Sequence, residues 1–331
     1  VADTDRSALQ QRLERTLLGG RRKYTRLQVF EKAGVPEVRA SRLWRALGFA
    51  TVADDEVVFT DADVEAVRTA DELVRSGLVD AAMETAVTRA LGQHLSRLAE
   101  WQVDLLWSLV TENPELAADD RRITRLVDRL LPELERVQNF VWRRHLAAYA
   151  GRAFAGQDDT QEGRTEVVGF VDMVGYTRLT RRLGEAELDS VLDAFESLAT
   201  EVVGEHHGRI VKMIGDEVLF VADAAADGAA IGLALAERAA DDESLPAVRA
   251  GLAAGRILSR FGDVYGPVVN LAARLTSVAK PGTVLVDREL ANELAGDPAF
   301  ELRPRRAVSV RGYSRLRPYA LRRPRASNYP E

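Results

Sequence analysis

Residues 210–220 read IVKMIGDEVLF, two short apolar runs on either side of a glycine. Runs of this length around a glycine turn predict a β-hairpin with strands at Ile210–Ile214 and Glu217–Val221. Lys212 interrupts the first run, and Asp216 sits at the tip ahead of Glu217. A charge among core residues is costly unless it is paired or coordinates a metal. A carboxylate at this tip therefore points to a metal or phosphate site.

A second stretch, VVGFVDMVGYT at 167–177, ends a continuous apolar run with Asp172 and passes through Gly175 and Thr177 into a helical segment. A bounded apolar run reads as a buried strand. Its carboxylate then emerges beside a helix N-terminus with free backbone N–H groups. Two aspartates at strand ends face one another if their strands are neighbours. Such an oxygen-donor pair suits Mg²⁺ or Mn²⁺, with phosphate oxygens as further ligands. Taken singly, Asp172 also fits a helix cap and Asp216 a turn residue.

Three segments in order, the strand with Asp172-Met-Val-Gly-Tyr-Thr, Lys212-x-x-Gly-Asp216, and GDVYGPVVNLAARL at 262–275, resemble the catalytic domain of class III nucleotide cyclases. The resemblance spans roughly residues 166–322. It implies an α+β, ferredoxin-like catalytic domain at 166–331. The implied reaction is attack of the ribose 3′-hydroxyl of ATP on the α-phosphate, giving 3′,5′-cyclic AMP and pyrophosphate. Two divalent ions (Mg²⁺ or Mn²⁺) would be held by Asp172 and Asp216, with phosphate donors around Val174, Gly175, Tyr176 and Thr177. Asn270 would orient the ribose, and Arg274 would meet charge developing on the α-phosphate. Arg311 would face the β- and γ-phosphates.

Lys212 and Asp263 stand where the family reads the base. Adenine offers an acceptor at N1 and a donor at its 6-amino group, whereas guanine reverses both, so a lysine and an aspartate match adenine. In the family the metal pair comes from one protomer and the base pair, Asn270 and Arg274 from the other. The resemblance therefore implies a homodimer with shared sites. The rival readings are a diguanylate cyclase, a DNA-binding regulator whose cyclase-like half senses ATP, and a structural pseudo-enzyme.

The coarse reading of this half gives strand 166–172, helices 177–183 and 185–206, the hairpin 210–221 and helix 226–239. Strand 247–255, helix 267–278, strand 283–286, helix 287–294 and a terminal hairpin around 300–321 follow, a mainly antiparallel sheet alternating with helices.

Residues 1–150 read as an all-α regulatory domain, and 151–165, rich in glycine and charge, as a linker. Residues 24–49 predict helix, turn and helix, interrupted at 34–36 and stopped at Gly48. A short hairpin is expected around Asp54–Asp55, and a cap at Thr60 or Asp61. Such a unit can bind DNA, but a small helical subdomain is the reading preferred here. Beyond Asp63 the pattern is helical to about Tyr149, with Pro114 and Pro132 as breaks and Trp101, Trp107 and Trp142 as core aromatics. A core of this kind has room for a hydrophobic ligand. This half resembles the domain that inhibits a subset of actinobacterial adenylate cyclases in a pH-dependent way. Among four histidines, His145, in the helix feeding the linker, is the candidate pH switch.

The 331 residues include no cysteine, so thiolate metal sites are excluded and a reducing compartment is expected. No apolar run is long enough to span a bilayer and no secretory signal is expected at Val1, which predicts a cytoplasmic protein. The formal charge of −6 speaks against a nucleic-acid coat.

Overall fold

The computed structural model describes residues 11, 13–117, 119–155, 165–310 and 312–324. The chain divides into two compact units, 1–156 and 157–331.

In the first unit, helix α1 (Arg26–Ala33) starts at Thr25, whose hydroxyl accepts from the Gln28 N–H while the Gln28 side chain reaches back. It stops at Gly34, with φ 72°. Helix α2 (Glu37–Ala46) begins after Pro36, and α3 (Asp61–Arg75) after Thr60, whose N–H donates to Asp63 at 2.7 Å. Their small core is Val29, Phe30, Val35, Ala40, Phe59 and Val64. The expected hairpin at 54–55 does not form. A turn and an isolated bridge between Tyr24 and Phe59 take its place.

Helices α4 (Glu84–Glu112), α5 (Pro114–Ala117) and α6 (Asp120–Ala155) follow. Pro114 interrupts the helical run as expected, but Pro132 lies inside α6. The lost helical bond would go to the carbonyl of residue 128, at an exposed position. Helix α6 also continues to Ala155, through the first residues of the expected linker. Trp101, Trp107 and Trp142 are exposed rather than core. Helical periodicity shows that a face is apolar, not what covers it.

The buried carboxylates Asp71 of α3 and Glu84 of α4 both meet Arg39 of α2. Arg42 adds a longer contact to Glu84, 3.4 Å. Two arginines that a DNA-reading helix would present to phosphate are thus tied to acids of the same unit.

The second unit contains strand β1 (Thr165–Met173), the short helix α7 (Tyr176–Leu179) and helix α8 (Glu185–Glu205). Strands β2 (Arg209–Ile214) and β3 (Glu217–Ala222), helix α9 (Ala225–Asp241) and strand β4 (Val248–Arg256) come next. A hairpin of β5 (Leu258–Arg260) and β6 (Asp263–Tyr265) precedes helix α10 (Pro267–Val278). The chain continues through β7 (Val284–Val286), α11 (Arg288–Glu293), β8 (Glu301–Pro304), β9 (Val308–Val310), β10 (Tyr313–Leu316) and β11 (Tyr319–Arg322).

Seven strands form one sheet in the order β2-β3-β1-β4-β7-β11-β8, antiparallel except for β4 with β7. The expected α+β layers are present, with three differences. The single terminal hairpin is replaced by the main-sheet pair β8–β11 and a separate β9–β10 pair. The 258–265 hairpin was not anticipated, and helix 177–183 shortens to Tyr176–Leu179.

Both faces of the sheet are covered, which explains the unbroken apolar runs of its central strands. On one face Val167, Val171 and Met173 of β1 pack with Phe195 and Val202 of α8 and Leu235 of α9. On the other, Val168 and Phe170 pack with Val268, Ala272 and Leu275 of α10. There, a Cβ on Gly251 of β4 would lie 2.2 Å from the Thr276 backbone nitrogen, so only glycine allows this approach of helix to strand. The Thr276 hydroxyl reaches across to the Phe170 carbonyl at 3.2 Å.

Candidate active site

The hairpin β2–β3 turns through two residues, Gly215 and Asp216. Gly215 carries the positive φ, 61°, which leaves the side-chain-bearing position to Asp216. The Asp216 carbonyl accepts from the Met173 N–H at 3.0 Å, fixing the turn against the end of β1. Asp172 is on that strand end, opposite Glu217 on β3 and opposite Arg249 on β4.

The electrostatics follow from this crowding. Burial and then the neighbouring Asp172 carboxylate hold the Asp216 carboxyl above its ordinary range. Burial, Asp172 and Asp216 push Glu217 up to about 7. The compensating cation is Arg249, which donates from Nε to Asp172 Oδ2 at 2.7 Å and approaches the same oxygen from Nη2 at 2.6 Å. Its Nη1 reaches the Ser277 carbonyl near the end of α10, 3.4 Å away.

Among the described residues no three acidic, histidine or cysteine side chains are gathered as a metal site. Asp172 and Asp216 are nonetheless an all-oxygen pair whose mutual repulsion a hard divalent cation would relieve, so the residues fit such an ion. Arg249 escaped the sequence reading. Its one signal is a guanidinium at the start of the otherwise apolar run VRAGLAAG.

The phosphate-donor segment is only partly available. The Val174 N–H is already donated to the Ala247 carbonyl at 2.8 Å, which removes it as a phosphate donor. Gly175 adopts the left-handed conformation, φ 83°, and caps α7, so the amides of Tyr176 and Thr177 belong to a first helical turn, where no intrahelical acceptor exists.

Lys212, on edge strand β2, meets Asp263 at the start of β6, with Nζ 2.6 Å from Oδ2. Asp263 is placed by the two-residue turn Phe261–Gly262, in which both residues have positive φ. Burial raises the Asp263 pKa, but the Lys212 ammonium and the Val264 N–H outweigh it and leave the carboxyl below its ordinary value. The two residues expected to read the base, 51 positions apart, are therefore in direct contact.

Asn270 and Arg274 project from α10 one turn apart, Asn270 exposed and Arg274 half-buried. Neither side chain has a hydrogen-bond or ion-pair partner among the described residues. Arg311 lies outside the described residues. His145 is exposed on α6.

The family model for the adenylate and guanylate cyclase catalytic domain matches residues 160–323. An adenylate cyclase of Streptomyces coelicolor is 46% identical over 295 residues, covering 88% of this chain and 77% of the relative. One from Glutamicibacter nicotianae is 40% identical over 328 residues, covering 93% and 81%. The chain belongs to the class III adenylate cyclase family. A third relative, the pH-sensitive adenylate cyclase of Mycobacterium tuberculosis, is 31% identical over 304 residues, with 87% of this chain and 76% of the relative covered. The likeness of this class III cyclase to its relatives thus extends into the helical half that precedes the sheet. Among the described residues no helix is long and apolar enough to cross a membrane. A small cleft in the first unit is lined by residues such as Phe30, Trp44 and Phe59.

Proposed function

We propose that this chain converts ATP into 3′,5′-cyclic AMP and pyrophosphate. The observation that carries the substrate choice is the 2.6 Å contact between Lys212 and Asp263. An ammonium donor and a carboxylate acceptor held side by side complement N1 and the 6-amino group of adenine. Against guanine, donor would meet donor and acceptor would meet acceptor, at a cost of about 1–3 kcal/mol for each buried group left unpaired.

Cyclisation needs alignment and charge neutralisation more than covalent help. Asp172 and Asp216 are the residues that would hold two divalent ions, which when bound supply charge neutralisation and acidify the 3′-hydroxyl. Asn270 orients the ribose, and Arg274 opposes charge developing on the α-phosphate with a guanidinium that stays protonated. The amides of Tyr176 and Thr177 add phosphate donors. The absence of side-chain partners for Asn270 and Arg274 among the described residues supports a ligand-facing role.

The sites form between two copies. One contributes Asp172 and Asp216, the other Lys212, Asp263, Asn270 and Arg274. Residues 1–150 act as the regulatory domain, 151–165 as the linker and 166–331 as the catalytic domain. The regulatory half restrains the catalytic half in a pH-dependent manner, with His145 as candidate sensor. The name of the mycobacterial relative supports this reading.

The test is product formation by the full chain from ATP and from GTP with Mn²⁺, across a pH series, beside Asp172→Ala and His145→Ala. Cyclic AMP from ATP, little product from GTP, and loss in Asp172→Ala are expected. Equal turnover of GTP would remove the base-reading assignment. An unchanged pH profile in His145→Ala would remove the sensor.

A further inference from the structure

The Lys212–Asp263 pair can meet a purine only at its hydrogen-bonding edge, which leaves both flat faces of the base uncovered. A base held in a protein site gains affinity from an aromatic or apolar side chain lying against such a face.

The β5–β6 hairpin carries a surface of this kind that the core does not use. Val264 is 4% exposed and packs into the core under α10, so its side chain turns inward. Successive strand residues alternate in direction, so Asp263 and Tyr265 share the outward face. Tyr265 is 50% exposed, and Leu258, its partner on β5, is 62% exposed. Among the described residues the Tyr265 ring meets no other ring and its hydroxyl has no hydrogen-bond partner. Both sides of Tyr265 are nonetheless held in place. Asp263 is tied to Lys212 at 2.6 Å. Gly266 caps α10 with φ 144°, where a Cβ would lie 3.2 Å from the Arg256 carbonyl oxygen.

We propose that the Tyr265 ring packs against the face of the purine whose edge Lys212 and Asp263 meet, with Leu258 as an apolar rim beside it. The role rests on that pair reading the base. Two placements select a nucleotide as the occupant. Along β6 the step from Asp263 to Tyr265 is roughly 7 Å, comparable with the depth of a purine from its hydrogen-bonding edge to its sugar. In the chain Tyr265 also lies between Asp263, proposed for the base, and Asn270, proposed for the ribose, so its ring falls on the path of the nucleoside that both would hold. All of these residues belong to one copy. Every purine offers a π-face, so Tyr265 contributes affinity while Lys212 and Asp263 contribute the choice of base.

Binding is measured by isothermal titration on the full chain with Mn²⁺. The probes are 3′-deoxy-ATP and 3′-deoxy-GTP, which lack the attacking hydroxyl, and tripolyphosphate, which lacks the base. Tyr265→Ala is expected to weaken both nucleotides by about tenfold and to leave tripolyphosphate unchanged. Tyr265→Phe keeps the ring and should bind both within about twofold of the parent. Parent-like binding of both nucleotides by Tyr265→Ala would overturn the packing role, as would an equal loss in Tyr265→Phe. A matching loss of tripolyphosphate binding would also overturn it, because it marks a structural defect. Lys212→Ala separates packing from base reading, since it should weaken 3′-deoxy-ATP more than 3′-deoxy-GTP. No such difference, beside a tenfold loss of both in Tyr265→Ala, would remove base reading and leave the packing role standing.

Discussion

Arg249 and Asp172 face each other across adjacent antiparallel strands, and Nη2 of one is 2.6 Å from Oδ2 of the other. The guanidinium thus occupies one side of a carboxylate that is also proposed to hold a cation. Metal binding has to compete with it. Without nucleotide, Arg249→Ala is expected to bind Mn²⁺ about tenfold more tightly, near 1.4 kcal/mol, as read by isothermal titration. Weaker Mn²⁺ binding in the variant would mean that the arginine orients the aspartate rather than competing for it.

Lys212 and Asp263 hold each other as well as the proposed base. Removing either leaves the other without its charged partner and without one hydrogen bond to adenine. Lys212→Ala and Asp263→Ala are each expected to lower kcat/KM for ATP by about 10- to 100-fold. The loss for GTP should be smaller. Steady-state kinetics with both nucleotides measures the difference, and equal losses would count against base reading.

The proposed sharing of sites between copies makes a counting prediction. Co-expressed Asp172→Ala and Asn270→Ala chains form mixed dimers in half of all pairings, each with one intact site. Activity should return to about a quarter of the parent level, from near zero in each variant alone. No recovery in demonstrably mixed dimers would place each site within a single chain.

Glu217 sets a pH dependence. Its pKa is raised by burial, then by Asp172 and Asp216, to about 7, against an ordinary value of 4.5. A raised folded-state value means that the stabilising contribution is complete below about 4.5 and is lost as pH rises through 7. Without added metal, the parent should lose thermal stability between pH 5 and 8, and Glu217→Gln should lose less. Parallel Tm profiles would show that Glu217 ionises without penalty.

Arg39 compensates two buried acids, Asp71 and Glu84, that belong to different helices. Arg39→Met leaves both carboxylates without that cation. The expected cost is about 1–3 kcal/mol, since Asp71 keeps Arg75 at 2.6 Å and Glu84 keeps Arg42 at 3.4 Å but both lose their hydrogen bonds from Arg39. A calorimetric scan should show the first unit unfolding earlier, with the transition of the sheet unit unchanged.

The parts of the site that could be read from sequence were charges in improbable places. Asp172 and Asp216 end apolar runs, and a buried charge needs a physical reason. The Lys212–Asp263 pair, 51 residues apart, was reached only through the order and spacing of family motifs. Arg249 could not be reached, because its meaning comes from strand pairing rather than from its neighbours in the chain. The β5–β6 hairpin escaped because three-residue strands have too little alternation to register. The tryptophans were misassigned for a related reason, since hydrophobic periodicity is the same for a core face and an uncovered one. Pro132 shows the limit of residue rules, because one lost backbone bond at an exposed position does not end a 36-residue helix.

The contact between Gly251 and the Thr276 backbone has a mechanical consequence. With no side chain between strand and helix, α10 has almost no slack to tilt or slide, and Asn270 and Arg274 travel with β4 as one solid piece. A controller acting on such a piece has nothing inside it to bend. In the proposed dimer with shared sites, its remaining lever is displacement of the whole block against the second copy, which would open or close the seam between the two half-sites.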